Sequence, residues 1–153
     1  MKEIVGKLYI LPLLMLACFI GSCTHNNGDI GSLFGTWKLT AILIDGQPAE
    51  DYSGNCFWSF QNDIIAFTLE DDPLSHSAQR RWGTFVRSEG YISLNISHKG
   101  NGANDYLYKI FPVLRLPAEE DVPLKILKDS GGEMELELTA VDGSRIVYTL
   151  KKQ

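Results

Sequence analysis

Few of the 153 residues are of the kinds that do chemistry in recognisable patterns. The three histidines are scattered: His25 stands among polar residues near the start, His76 in Pro73-Leu74-Ser75-His76-Ser77, and His98 just after an alternating run. None has the spacing from a second His or a Cys pair that zinc needs, and there is no Gly-x-Ser-x-Gly elbow or phosphate-cradling loop. Two acidic runs, Glu70-Asp71-Asp72 and Glu119-Glu120-Asp121, offer the hard oxygens calcium takes. Each lies beside a proline between strand-like segments, where carboxylates are ordinarily hydrated. Cys56, in Cys56-Phe57-Trp58-Ser59-Phe60, has no neighbouring base to make a thiolate and reads as a small buried side chain. The expectation is a protein that is not an enzyme, with no catalytic residues, no metal and no cofactor.

Composition agrees with a single globular domain: 44% of residues are hydrophobic, 22% are charged, and the formal net charge is −5. An acidic chain without a Lys/Arg cluster is a poor partner for nucleic acid. At the start, Lys2 and Lys7 precede an apolar run from Leu8 to Ile20, followed by Gly21-Ser22-Cys23. That is the layout of an export signal, and the run is shorter than the roughly 20 residues of a comfortable membrane span.

Ile20-Gly21-Ser22-Cys23 resembles the lipobox of bacterial lipoproteins, which implies cleavage before Cys23 and lipidation of its sulfur. Met15-Leu16-Ala17-Cys18 is a weaker alternative, because cleavage there leaves Phe19-Ile20 on the mature terminus. Two or three acyl chains hold a protein on a bilayer stably. The implied location is the cell envelope, anchored by lipid to a bacterial membrane, with the outer membrane the favoured host. The expected organisation is a signal peptide over 1–22, a lipidated Cys and flexible tether over 23–33, and a folded domain over 34–153. With the signal and Cys23 accounted for, Cys56 is left without a disulfide partner. Residues 1–22 carry Lys2, Lys7 and Glu3, so their removal takes the charge from −5 to −6. Such a charge favours a hydrated domain standing clear of anionic lipid.

The remainder is dominated by period-two alternation. In Glu133 to Ala140, residues Met134, Leu136, Leu138 and Ala140 share one face and glutamates occupy the other. The same reasoning predicts strands over 36–44, 56–61, 64–70, 81–87, 91–97, 106–113, 122–128 and 145–151. The connections Asn62-Asp63, Glu89-Gly90, Gly131-Gly132 and Asp142-Gly143 carry hairpin chemistry, so neighbours in sequence should pair antiparallel. The long loop 45–55 and the stretch 117–121 have room for a helical turn. An all-β up-and-down meander of about eight strands eliminates its edges by closing into a barrel, and a two-sheet sandwich is the alternative.

Gly35-Thr36-Trp37, opening the first strand, resembles the Gly-x-Trp signature of lipocalins, and loop 45–55 resembles their first loop. The mature chain as a whole resembles the short lipocalin-like lipoproteins of Bacteroidetes. The resemblance implies that Trp37 closes the barrel floor under a cation from the last strand, and Arg145 is the expected cation. Trp58, Phe60, Phe67, Trp82, Phe85, Tyr106 and Tyr108 are the candidate lining of an apolar pocket within such a barrel. The leading expectation is a lipid-anchored lipocalin-like protein holding a small hydrophobic molecule inside. The alternatives are a protein-interaction or inhibitor module with a solid barrel, and a carbohydrate-binding accessory lipoprotein with exposed Trp and Tyr. Replacing Cys23 by Ala should release the protein from membranes or leave it unprocessed. Fatty-acid labelling of the variant checks this, and label retained on it transfers the assignment to Cys18.

Overall fold

A strand that is apolar on one face must lay that face against something, and in this chain the strands lay theirs against one another. The computed structural model describes residues 31–72, 77–96, 110–117 and 121–153. The expected signal, Cys23 and the tether up to residue 30 therefore lie outside the described residues. Among the described residues nine strands follow in order: β1 (Gly35–Ile44), β2 (Gln47–Pro48), β3 (Cys56–Gln61), β4 (Ile64–Asp72), β5 (Ser77–Ser88), β6 (Tyr91–Asn95), β7 (Val122–Ser130), β8 (Glu133–Thr139) and β9 (Arg145–Lys152). From β3 to β9 each strand pairs antiparallel with the next, and β1 pairs with both β3 and β9. The result is a closed eight-stranded barrel, with β2 folded back on the end of β1 as a two-residue addition.

Closure, and not a sandwich, follows from the seven partnered residues between Trp37–Ile44 of β1 and Ile146–Lys152 of β9. Three irregularities help the sheet to curl. One falls between Leu39 and Ala41 of β1, where the Thr40 hydroxyl donates to the Thr149 carbonyl at 3.0 Å, a second between Glu70 and Asp72 of β4, and a third between Ile126 and Lys128 of β7. An extra residue on one side of a ladder bends the strand and increases its twist, which a small barrel requires.

Loop 45–55 opens with a hairpin, and a single turn follows it in which the Tyr52 N–H donates to the Ala49 carbonyl at 3.2 Å. Asp45 (φ 49°) and Gly46 (φ 82°) form the two-residue turn that pairs Ile44 with Gln47. Positive φ at both central positions is the primed-turn geometry that Asp-Gly favours. The strand expected over 106–113 is corrected where it can be seen, Tyr106 to Lys109 lying outside the described residues. Residues 110–117 make no strand, and Pro112–Leu114 is a short 3-10 turn. Pro112 has no N–H to give to a ladder, and Arg115 ends the turn in the left-handed region (φ 54°).

The main core cluster of the described residues lies inside the barrel. Trp37, Leu39, Ile42, Trp58, Phe60, Ile65, Phe67, Ile92, Leu94, Leu124, Met134, Leu136, Tyr148 and Leu150 alternate inward from their strands and form one cluster. Each such side chain contributes roughly 1.5–3 kcal/mol relative to leaving it in water. Gly83 lets β5 pass close to the end of β6: a Cβ there would sit 2.7 Å from both the Asn95 carbonyl oxygen and Ile96 Cγ2. Gly83→Ala should therefore force the backbone apart and cost about 1–3 kcal/mol, an overpacking penalty read as a lowered urea midpoint with an unchanged slope.

Candidate functional site

The floor of the barrel is built where β1 begins and β9 ends. Antiparallel closure sets Trp37 opposite Lys152, and the Lys152 ammonium lies 5.3 Å from the centre of the Trp37 ring. Lys152 also donates to the Ser32 carbonyl at 3.0 Å, while the Trp37 indole donates to the Leu33 carbonyl at 2.8 Å. The floor cation is thus Lys152 and not Arg145. Arg145 opens β9 at its opposite end, faces outward and pairs with Glu137. Residues 31–33, read from composition as the last of the tether, are stitched to this floor. Leu33 is buried, and the Ser32 hydroxyl joins Arg87 and Asp129, which themselves pair at 2.7 Å.

Above the floor, most of the aromatics expected to line a pocket do face inward, but they pack on each other. Trp58 meets the edge of Phe67 at 5.1 Å and the Tyr148 ring at 5.3 Å, and Phe60 meets the edge of Phe85 at 5.1 Å. Edge-to-face pairs of this kind add about 0.5–1.5 kcal/mol beyond the area they bury. Trp82 departs from the expectation. It pairs with Ala66 on the outward face, with the Arg80 guanidinium 5.5 Å from its ring. Parity explains this, because Arg81, Gly83 and Phe85 take the inward positions of β5 opposite Phe67, Ile65 and Leu94. Tyr106 and Tyr108 lie outside the described residues.

Residues 110–117 close the other end. Leu114 drops into the core, Phe111 and Leu116 are buried beside it, and the Tyr148 hydroxyl donates to the Leu114 carbonyl at 2.8 Å. Arg115 fastens the segment to loop 45–55 through Asp51 at 2.6 Å, and the Arg81 guanidinium sits 4.7 Å from the Phe111 ring. Nothing in the sequence pattern announced this plug, although Pro112 beside a break in alternation marks where the strand must fail.

An interior cavity large enough for a ligand leaves its lining in contact with a water-sized void. Trp58, Phe67 and Tyr148 have 0% of their surface exposed, and so do Cys56, Ile65, Leu124 and Leu136. No water-sized void lies against these seven side chains, so this part of the interior is filled. Burial pushes the Cys56 thiol up to about 12, outweighing a small opposing influence of the Trp58 indole N–H. Among the described residues that N–H finds no acceptor of hydrogen-bonding geometry. Burial likewise raises the Tyr148 and Tyr52 hydroxyls above the ordinary phenol value. Among the described residues no group of three or more His, Cys, Asp or Glu side chains is placed to hold a metal.

A groove of about 900 Å³ runs along the 115–117 segment beside β6, β7 and β8, lined by Tyr91, Arg115, Lys125, Glu137 and Asp142 and reaching the inward side chains Val122 and Leu138. Both signs of charge meet there beside one exposed aromatic ring. Asp142 is held below the usual carboxylate range by the Ser144 hydroxyl and backbone N–H.

A closed up-and-down barrel of eight strands with a Trp floor, corked at the far end, has the lipocalin-like architecture. The chain is similar to a lipocalin-like protein from Bacteroides uniformis ATCC 8492, with 15% identity and a TM-score of 0.56 over 80% of this chain and all of that one. It is similar also to an uncharacterized protein from Bacteroides eggerthii DSM 20697, with 16% identity and a TM-score of 0.57 over 79% of this chain and 99% of that one. At these identities the likeness concerns the fold. No protein-family profile and no curated protein matches the chain.

The Cys56 environment has a measurable consequence. In residues 27–153, where Cys56 is the one cysteine, a thiol reagent should leave the native protein unmodified at pH 8 and react once it is unfolded in denaturant, because only the thiolate attacks. The raised value also means that the unfolded chain ionises first. Stability present below the ordinary thiol value of 9.0 should therefore decline as pH climbs from there toward about 12. Reagent absorbance against time, and denaturant midpoints against pH, check the two statements.

Proposed function

We propose that this protein is a non-enzymatic, lipid-anchored lipocalin-like lipoprotein that recognises a partner on its surface and carries nothing inside its barrel. The observation that carries this reading is the close packing of the interior: Trp58, Phe67 and Tyr148, which a hydrophobic cargo would have to touch, have no exposed surface and pack ring against ring. Admitting a ligand of a few hundred Å³ would require pulling out Leu114 and the Tyr148 hydrogen bond, and separating Trp58 from Phe67. Large-to-small changes in such a core cost several kcal/mol, and opening one without substitution costs at least as much. The leading expectation from sequence, a hydrophobic carrier, thus gives way to the solid-barrel module. The groove beside Tyr91 and Arg115 supplies both shape and polar groups for such recognition. Membrane attachment rests on the lipobox resemblance at Cys23.

Native mass spectrometry of residues 27–153, before and after organic extraction, tests the reading. The expected result is the bare polypeptide mass in both samples, unchanged by incubation with fatty acids and sterols. A co-purifying mass that extraction removes overturns the solid-barrel reading and restores the carrier.

A further inference from the structure

The formal charge of the chain is negative, yet its charges are unevenly placed around the barrel. Outward positions of β8 carry Glu133, Glu135 and Glu137 in succession. On the far side of the barrel, the outward positions of β1, β3, β4 and β5 read differently. They include Thr36, Lys38, Phe57, Ser59, Ile64, Ala66, Thr68, Arg80, Trp82, Thr84 and Val86, with Glu70 the one carboxylate among residues 35–70 and 78–88 that takes such a position. Lys38 lies 5.8 Å from the Phe57 ring, and Arg80 covers Trp82 while its Nε donates to Thr68.

The same face holds exposed apolar side chains near one end: Val86 is 68% exposed, Ile64 43% and Phe34 39%. Register places them together, since Gly35 pairs with Phe60 and Ile64 with both Gln61 and Thr84, two residues from Val86. This is also the end at which the described chain begins, at Gly31. Eight residue steps separate Gly31 from Cys23, a reach of at most about 28 Å at full extension. A domain on so short a leash is never far from the bilayer that holds the lipid.

We infer that the β1–β3–β4–β5 face is a membrane-docking surface: Phe34, Ile64, Trp82 and Val86 meet the acyl-headgroup boundary, and Lys38 and Arg80 meet anionic headgroups. Aromatic and aliphatic side chains flanked by snorkelling cations are what an interfacial surface requires. Ile64 and Val86 offer nothing to the hydroxyls of a glycan, which favours lipid over a saccharide. The face also reverses the expectation drawn from net charge, because a bilayer responds to the nearest charges within a Debye length and not to their sum. With this face down, the groove beside Tyr91 points away from the membrane. The inference rests on the anchoring part of the proposed function.

The test uses the mature lipoprotein reconstituted into phosphatidylethanolamine vesicles containing phosphatidylglycerol. A fluorophore is attached through Ile64→Cys or Val86→Cys, with Val141→Cys, 96% exposed on the β8–β9 turn, as the reference. Cys56 is buried and takes no label. Nitroxide-labelled lipid should quench the Ile64 and Val86 probes several-fold more than the Val141 probe, and Lys38→Glu with Arg80→Glu should bring them level. Equal, weak quenching of a protein that still floats with the vesicles overturns the face and leaves the anchor intact. A protein that never floats overturns both. Probes that respond to a soluble acidic polysaccharide and not to quencher lipid reassign the face to a glycan and overturn the lipid assignment.

Discussion

Every inward side chain depends on a pairing between two strands near opposite ends of the folded domain, β1 and β9. The other ladders join strands much nearer in sequence, most of them through short turns; this one fixes more than a hundred residues of intervening chain. It is also what makes the interior an interior. Without it the meander is a twisted open sheet with two exposed edges and a wet apolar face. With it, Trp37 gains Lys152, Leu39 gains Leu150 and Ile42 gains Tyr148, so the floor, the middle and the plug contact are all consequences of one register. The irregularity at Thr40 belongs to the same constraint, since it bends β1 where the two strands must stay in step.

How much a sequence discloses depends on whether the signal is local. Residues 133–139 alternate without exception and become β8, and the edges of β3 fall where alternation and the Asn62-Asp63 turn place them. Gly35-Thr36-Trp37 marks the first strand and the floor because both are set within three residues of each other. The floor cation was harder. Choosing between Arg145 and Lys152 requires knowing in which direction β9 runs past β1, a long-range fact that neither residue type carries. Trp82 illustrates the same limit, because β5 runs from Ser77 to Ser88 and its parity is set by partners on β4 and β6.

The two local misreadings have physical causes that composition alone conceals. Asp45-Gly46 has the same chemistry as Asp142-Gly143, but it precedes only two residues of strand before the chain leaves the sheet, so it looks like ordinary loop. Residues 110–117 are as apolar as a strand. They are a plug because Pro112 and the left-handed Arg115 deny them a ladder, and burial then comes from sinking into the barrel end. The candidate site followed suit: inward aromatics were legible, but whether they leave a hole is decided by how they interlock, a property of pairs and not of residue types.

The isolated buried thiol has a consequence for the history of each molecule. The proposed anchor would hold the domain in a compartment where disulfides form readily, yet Cys56 is sealed among Trp58, Leu39 and Tyr52 and stays a thiol as long as the barrel is closed. Only a chain that has opened presents that sulfur to an oxidant or to a second opened chain. Covalent dimers through this residue would therefore accumulate as an archive of past unfolding, a tally that the folded population neither adds to nor erases.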